Sequence, residues 1–182
     1  MIKPATPFPD SYWVVDGKFL AGEYPSNRDD AKAVEKIRRL LGCGVNSIVD
    51  LTEAGEYDLR NYQMMLAVEA LRLGMDVRHT RMDFADGSVP SAGHVRRVLD
   101  FIAAEIAAGR VVYVHCFGGI GRTGTIVGCW LAEHGHAGAK AIQVIAEWRA
   151  GTPDGHRESP ENGGQKRFVE AWPPRGATPS DA

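Results

Sequence analysis

Hydrophobic and polar positions along the chain switch repeatedly between a period of two and a period near 3.6. Tyr12-Trp13-Val14-Val15 is aromatic and β-branched, Asp16-Gly17 turns the chain, and Lys18 to Gly22 resumes it, which predicts a small hairpin. From Asp29 to Leu41 the apolar residues Ala33, Val34, Ile37, Leu40 and Leu41 recur at helical spacing, and Gly42 and Gly44 stop the helix. Val45 to Leu51 reads as a short buried strand, Tyr57 to Leu73 as a second helix ended by Gly74, and Met75 to Met82 as a further strand. Asp83 to Pro90 holds Asp, Gly, Ser and Pro and is a loop. Ser91 caps a helix whose apolar face is Val95, Val98, Leu99, Ile102 and Ile106, with Gly109 at its end. Arg110 to His115 is the most strand-like run. A glycine-rich loop follows it, then helices from about Thr123 to Glu133, Ala139 to Trp148 and Gln165 to Trp172. This alternation predicts one α/β domain over 1–172, its central, mostly parallel sheet flanked by helices. The Pro-, Gly- and Ser-containing stretch 173–182 is expected to be a disordered tail.

Composition narrows the picture by exclusion. A chain of 182 residues, 44% hydrophobic and 24% charged, has the make-up of an ordinary globular domain and needs neither disulfide nor metal to fold. With 21 basic and 23 acidic residues the net charge is −2, which gives no electrostatic footprint for nucleic acid or an anionic membrane. The first ten residues carry no apolar run, so no signal peptide is expected. The three cysteines, Cys43, Cys116 and Cys129, form no metal-ligand spacing. They fit a reducing, cytoplasmic compartment. Cys43 and Cys129 sit in apolar runs and are expected to be buried packing residues. His79, His94, His134, His136 and His156 show no metal spacing and are expected at the surface or in loops.

The segment that carries chemistry is His115-Cys116-Phe117-Gly118-Gly119-Ile120-Gly121-Arg122-Thr123-Gly124. It joins a strand to a helix, the place where α/β sheets bind ligands. Three glycines between Cys116 and Arg122 let the backbone curl, so that successive N–H groups form an anion-binding nest backed by the helix N-terminus. That setting favours the Cys116 thiolate, a nucleophile. Arg122 presents a planar fork for two phosphate oxygens. Thr123 is placed to donate a hydrogen bond to the sulfur and ease its departure, and His115 to orient the loop through backbone hydrogen bonds.

His-Cys-x5-Arg-Thr resembles the signature of the cysteine-dependent protein tyrosine phosphatase superfamily, and the short chain resembles its small atypical dual-specificity branch. Tyr12-Trp13-Val14, Leu20-Ala21-Gly22 and Ser47 to Glu53 extend the resemblance beyond the loop. The resemblance implies phosphate removal from phosphotyrosine, with phosphoserine and phosphothreonine as further substrates, through a phosphocysteine and with no metal or other cofactor. Phe117, Gly118, Gly119, Ile120, Gly121 and Arg122 then surround the phosphate. The general acid comes from a mobile loop. Asp86 stands about 30 positions ahead of Cys116, where the family carries this residue. Asp83 is the alternative and reads better as the end of a strand. In Ser159 to Gln165, Gln165 matches a glutamine that positions the hydrolytic water; the plain reading is a surface Gln at a helix start.

The expected partner is a phosphorylated protein or peptide, met by a monomer that binds neither nucleic acid nor membrane. Uncharged loop positions argue against a polyanionic lipid substrate without removing it. Two other classes keep such a loop: a phosphate-binding interaction module with little turnover, and a sulfur carrier. Arg122-Thr123 and the Asp86 loop argue against the carrier.

Overall fold

The computed structural model describes residues 4–175. Five strands, β1 (Ser11–Val15), β2 (Phe19–Gly22), β3 (Val45–Asp50), β4 (Arg78–Arg81) and β5 (Val111–His115), form one sheet in the order β1-β2-β5-β3-β4. Only the β1–β2 hairpin is antiparallel; the other three pairings are parallel. Six helices accompany it: α1 (Asp30–Gly42), α2 (Gln63–Arg72), α3 (Ala92–Ala107), α4 (Gly121–Glu133), α5 (Ala139–Arg149) and α6 (Gly163–Glu170).

Strand alternation divides the core in two. Phe19, Ala21, Val49, Val112 and Val114 meet apolar side chains of α3, α4, α5 and α6. Leu20, Ile48 and Tyr113, from the same strands, meet α1 and α2. Central β5 is thus covered on both faces, which is why Val111 to Val114 is an unbroken apolar run. Three helices start at side chains that accept a first-turn N–H: Asp29 from Lys32 at 3.0 Å, Ser91 from His94 at 3.2 Å and Asn162 from Gln165 at 3.0 Å.

The sheet positions the site through its connections. The chain leaves β3 toward α2 on one face and leaves β5 toward α4 on the other. The carboxyl ends of β3 and β5 therefore border a crevice at a topological switch point.

The largest departure from the periodicity lies between β3 and α2. The expected helix from Tyr57 to Leu73 is confined to Gln63–Arg72, preceded by a 3₁₀ turn at Glu56–Asp58 in which Tyr57 and Asp58 both have φ 51°. The side chains of Glu56, Tyr57 and Tyr62 instead reach Arg122, Asp86 and His115. The strand expected over Met75 to Met82 is only the edge strand β4. Cys129 is buried as expected, whereas Cys43 is half-exposed. His79 lies in β4 with its side chain only 12% exposed, not at the surface, because buried polar groups hold it. Of the expected tail, 176–182 lie outside the described residues.

Candidate active site

Three of the five carbonyl groups of the loop after β5, and the first carbonyl of α4, are tied to protein. The Cys116 carbonyl accepts from His115 Nδ1 at 3.0 Å and the Phe117 carbonyl from the Tyr24 amide at 2.8 Å. The Ile120 carbonyl accepts from Ser159 Oγ at 2.8 Å and the Gly124 amide at 3.1 Å, and the Gly121 carbonyl from Thr125 Oγ1 at 2.9 Å. By contrast, none of the amide N–H groups from Phe117 to Ile120 donates to a backbone carbonyl among the described residues. Carbonyls held away and amides left over are the components of an anion nest. Gly119 is required in it: its φ is +70°, and a Cβ there would stand 2.4 Å from the Gly22 carbonyl carbon. Gly124 is as constrained, since a Cβ would stand 2.2 Å from Ser159 Oγ.

Arg122 opens α4 with its side chain fully buried. Glu56 clamps it with two short bonds, 2.6 Å to Nη1 and 2.5 Å to Nη2, and the carbonyls of Leu51 and Phe84 accept from Nη1 at 3.1 and 3.3 Å. Burial opposes the charge, but the Glu56 hydrogen bonds and the nearby Cys116 and Asp86 outweigh it and hold the guanidinium protonated. Nε lies 3.2 Å from Asp86 Oδ1, too poorly aligned for a hydrogen bond, so this buried donor has no acceptor. Thr123 Oγ1 is likewise buried without a hydrogen-bond partner, so the bond to sulfur expected from the sequence is absent in this arrangement.

Glu56 is the residue that sequence reasoning missed. It lies 66 positions from Arg122 and carries no motif of its own. Removing one partner of a buried ion pair strands the other, at about 3–5 kcal/mol. Glu56→Ala is therefore expected to lower the unfolding free energy by about 3 kcal/mol, measured by urea denaturation. An unchanged midpoint would show that the clamp does not hold Arg122.

A second buried network supports Cys116 from below. His115 Nε2 lies 2.6 Å from the Tyr62 hydroxyl, which is also 3.0 Å from His79 Nε2; Gln63 Nε2 lies 3.0 Å from His79 Nδ1. These partners assign the protons: His115 Nδ1–H donates to Cys116, and Nε2 accepts from Tyr62. Asp50 closes the network, accepting from Thr52 N and Oγ1 at 2.9 and 2.6 Å and from Arg81 at 3.0 Å. Burial opposes its ionisation, but bonds from His79 and Thr52 and the adjacent His115 ring win and hold the carboxyl well below its usual range.

Burial pushes the His115 pKa down from 6.5 to about 4, against weaker upward pulls from Asp50 and the Cys116 carbonyl. The fold thus keeps this ring neutral where the unfolded chain protonates it. The contribution is fully present above pH 6.5 and is lost as pH falls toward 4. Wild type is expected to lose about 1.4 kcal/mol per pH unit through this group. His115→Gln should flatten that part of the slope in urea midpoints between pH 7 and 5; equal slopes would refute the assignment.

The loop that carries Asp86 borders the site. Asp86 lines, with Cys116, Phe117, Gly118, Ile120 and Gly121, a cavity of about 500 Å3. Its Oδ2 accepts from the Tyr57 hydroxyl at 2.8 Å. Asp83 does not line this cavity. Asn162 Nδ2 donates to the Gly87 carbonyl at 2.9 Å and Gln165 Nε2 to the Ser88 carbonyl at 3.1 Å, so the start of α6 holds the loop from behind. Gln165 is fully buried, not a surface residue, and a Cβ on Gly121 would lie 3.2 Å from its Oε1. Burial pushes the Cys129 thiol up, and such a thiol is inert.

The fold and this loop define the class: the dual-specificity phosphatases of the cysteine-dependent protein tyrosine phosphatase superfamily. The family described as "Polymorphic toxin system, DSP-PTPase phosphatase" matches residues 24–136, more than half of the chain, and the chain belongs to it. Over 132 residues it is 45% identical to dual specificity protein phosphatase CDC14C of Homo sapiens, with 69% of this chain and 26% of that protein covered. The chain thus spans about a quarter of that relative's length. Among solved structures, Tk-PTP in the active form is similar with a TM-score of 0.67 and 21% identity over 90% of this chain and 95% of that one. PTPMT1 in complex with PI(5)P gives 0.66 and 22% over 89% and 93%. At these identities the structures speak for the fold.

Proposed function

We propose that the protein hydrolyses phosphomonoesters of phosphotyrosine, and of phosphoserine and phosphothreonine, in proteins through a phosphocysteine. The observation that carries this reading is the loop in which Cys116 is followed by amides and an Arg122 Nε–H without protein acceptors. Those donors match the non-bridging oxygens of a phosphate.

In the first step the Cys116 thiolate attacks phosphorus, the S–P bond forms and the P–O bond breaks. Asp86 gives its proton to the leaving oxygen. Asp86 faces Arg122 before substrate arrives. A dianionic phosphate accepts from the Arg122 Nε–H, which has no protein acceptor. In the second step water attacks phosphorus, Asp86 takes the water's proton, and the thiolate leaves. Gln165 supports the water's side of this step by fixing the Asp86 loop at Ser88. The chemistry asks for no metal.

Phosphate release from a panel of phosphotyrosine, phosphoserine and phosphothreonine peptides, with a phosphoinositide included because PTPMT1 was solved with PI(5)P, tests the reading. Metal-independent release from peptides supports it. Release from the lipid alone moves the substrate to phosphoinositides, and binding without release makes the protein a phosphate-binding module.

A further inference from the structure

A second cavity, of about 590 Å3, adjoins the one containing Cys116. The two share Tyr57 and Phe117, whose rings lie 5.4 Å apart. These are the two large aromatics that the described residues leave exposed, at 58% and 51%. Exposed rings at the mouth of a binding cavity are surface that a ligand covers. The backbone holds one of them there at a cost, since Tyr57 and Asp58 both occupy the left-handed region.

Charge tells what the second cavity takes. Its lining includes Arg28 and Arg60, with Asp58 as its carboxylate. Arg60 donates to the Arg28 carbonyl at 3.2 Å and pairs with Asp30, which fixes it. The Arg28 guanidinium forms neither an ion pair nor a hydrogen bond among the described residues. The Cys116 cavity has a more acidic rim: Glu23, Asp86, Asp154 and Glu161 line it, Glu23 being paired with Lys36 and Arg157 with Asp154 and Glu161. An acidic side chain beside the phosphate is repelled from that rim and attracted across the Tyr57–Phe117 rings.

We propose that this cavity is a specificity subsite for a peptide residue close to the phosphorylated one, and that it selects an acidic side chain through Arg28. The inference rests on the phosphatase reading and adds a sequence preference to it. An extended peptide advances about 3.4 Å per residue, so the first two neighbours on either side are the positions to vary.

Matched phosphotyrosine peptides with Glu, Gln or Lys at each of these positions supply the test. For wild type, kcat/KM for the Glu peptide should exceed that for the Gln peptide by about fivefold at one position, carried by KM, with Lys poorer still. Arg28→Gln should level Glu and Gln, and Arg28→Glu should favour Lys. Arg28 is exposed, and urea midpoints check that both variants fold. Peptide affinities for the Cys116→Ser protein should give the same ranking without turnover. Equal kcat/KM for Glu and Gln at every position, or a preference that survives both Arg28 variants, would overturn the subsite. So would a soluble inositol phosphate that displaces the Glu peptide and loses affinity with Arg28→Gln. The phosphatase reading fails differently: no phosphate leaves any peptide or p-nitrophenyl phosphate.

Discussion

Replacing Cys116 by Ser is expected to lower phosphate release by about 10⁴-fold or more while leaving phosphopeptide binding in place. Only the sulfur is altered. A serine hydroxyl at this site is not ionised at neutral pH, and no group near it is placed to take its proton: Asp86 faces Arg122 and Tyr57, and His115 is turned toward the Cys116 carbonyl and Tyr62. The phosphate's own contacts, the amides from Phe117 to Ile120 and the Arg122 Nε–H, are untouched. Removing a negative sulfur also removes its repulsion of a dianion, so affinity should hold or rise. Single-turnover phosphate release and fluorescence anisotropy with a labelled phosphotyrosine peptide separate the two quantities. Release within tenfold of wild type would mean that phosphoryl transfer does not pass through Cys116. Loss of binding together with release would mean that the substitution has disturbed the loop.

How far the site was legible from sequence follows from how local its signals are. The nest is local. Strand, glycines, arginine and helix lie within a dozen residues, and Gly119 and Gly124 announce close backbone approach by lacking a side chain. The double-faced sheet was legible in the unbroken apolar run of β5. The left-handed turn at Tyr57 and Asp58 was not, because Tyr does not signal positive φ, Asp signals it only weakly, and their surroundings carry a helical period. Glu56 is assigned only by the approach of two chain segments that the sheet order brings together. Gln165 matched a position, but the sequence could not tell that its amide is buried and grips the Ser88 carbonyl. His79 read as a bland surface histidine because its partners, Tyr62 and Asp50, lie on other elements. In each case the missed feature is a long-range polar contact, which leaves no periodicity.

Asp86→Asn should lower turnover of phosphotyrosine peptides by about 10²–10³-fold and that of p-nitrophenyl phosphate far less. The amide keeps the shape of the carboxyl, so the loop remains held by Asn162 and Gln165 through the Gly87 and Ser88 carbonyls. It cannot supply a proton, and the tyrosine oxygen needs one to depart, whereas p-nitrophenolate leaves without it. The split between the two substrates therefore reports on proton donation and not on folding. Two side effects bear on the reading of KM. Asn removes the negative charge beside Arg122 Nε, and with it a repulsion of the phosphate, and it weakens the acceptor of the Tyr57 hydroxyl. Both changes act on binding, the first to tighten it. A fall in kcat on phosphotyrosine with KM unchanged or lower is the signature of a lost acid. The alkaline limb of the kcat profile adds a control that a merely structural role would not move, since loss of the donor should remove the decline of kcat at higher pH. Equal losses on the two substrates would assign Asp86 to loop closure, and unchanged turnover on phosphotyrosine would transfer the acid role to Asp83, which the structure holds outside the Cys116 cavity.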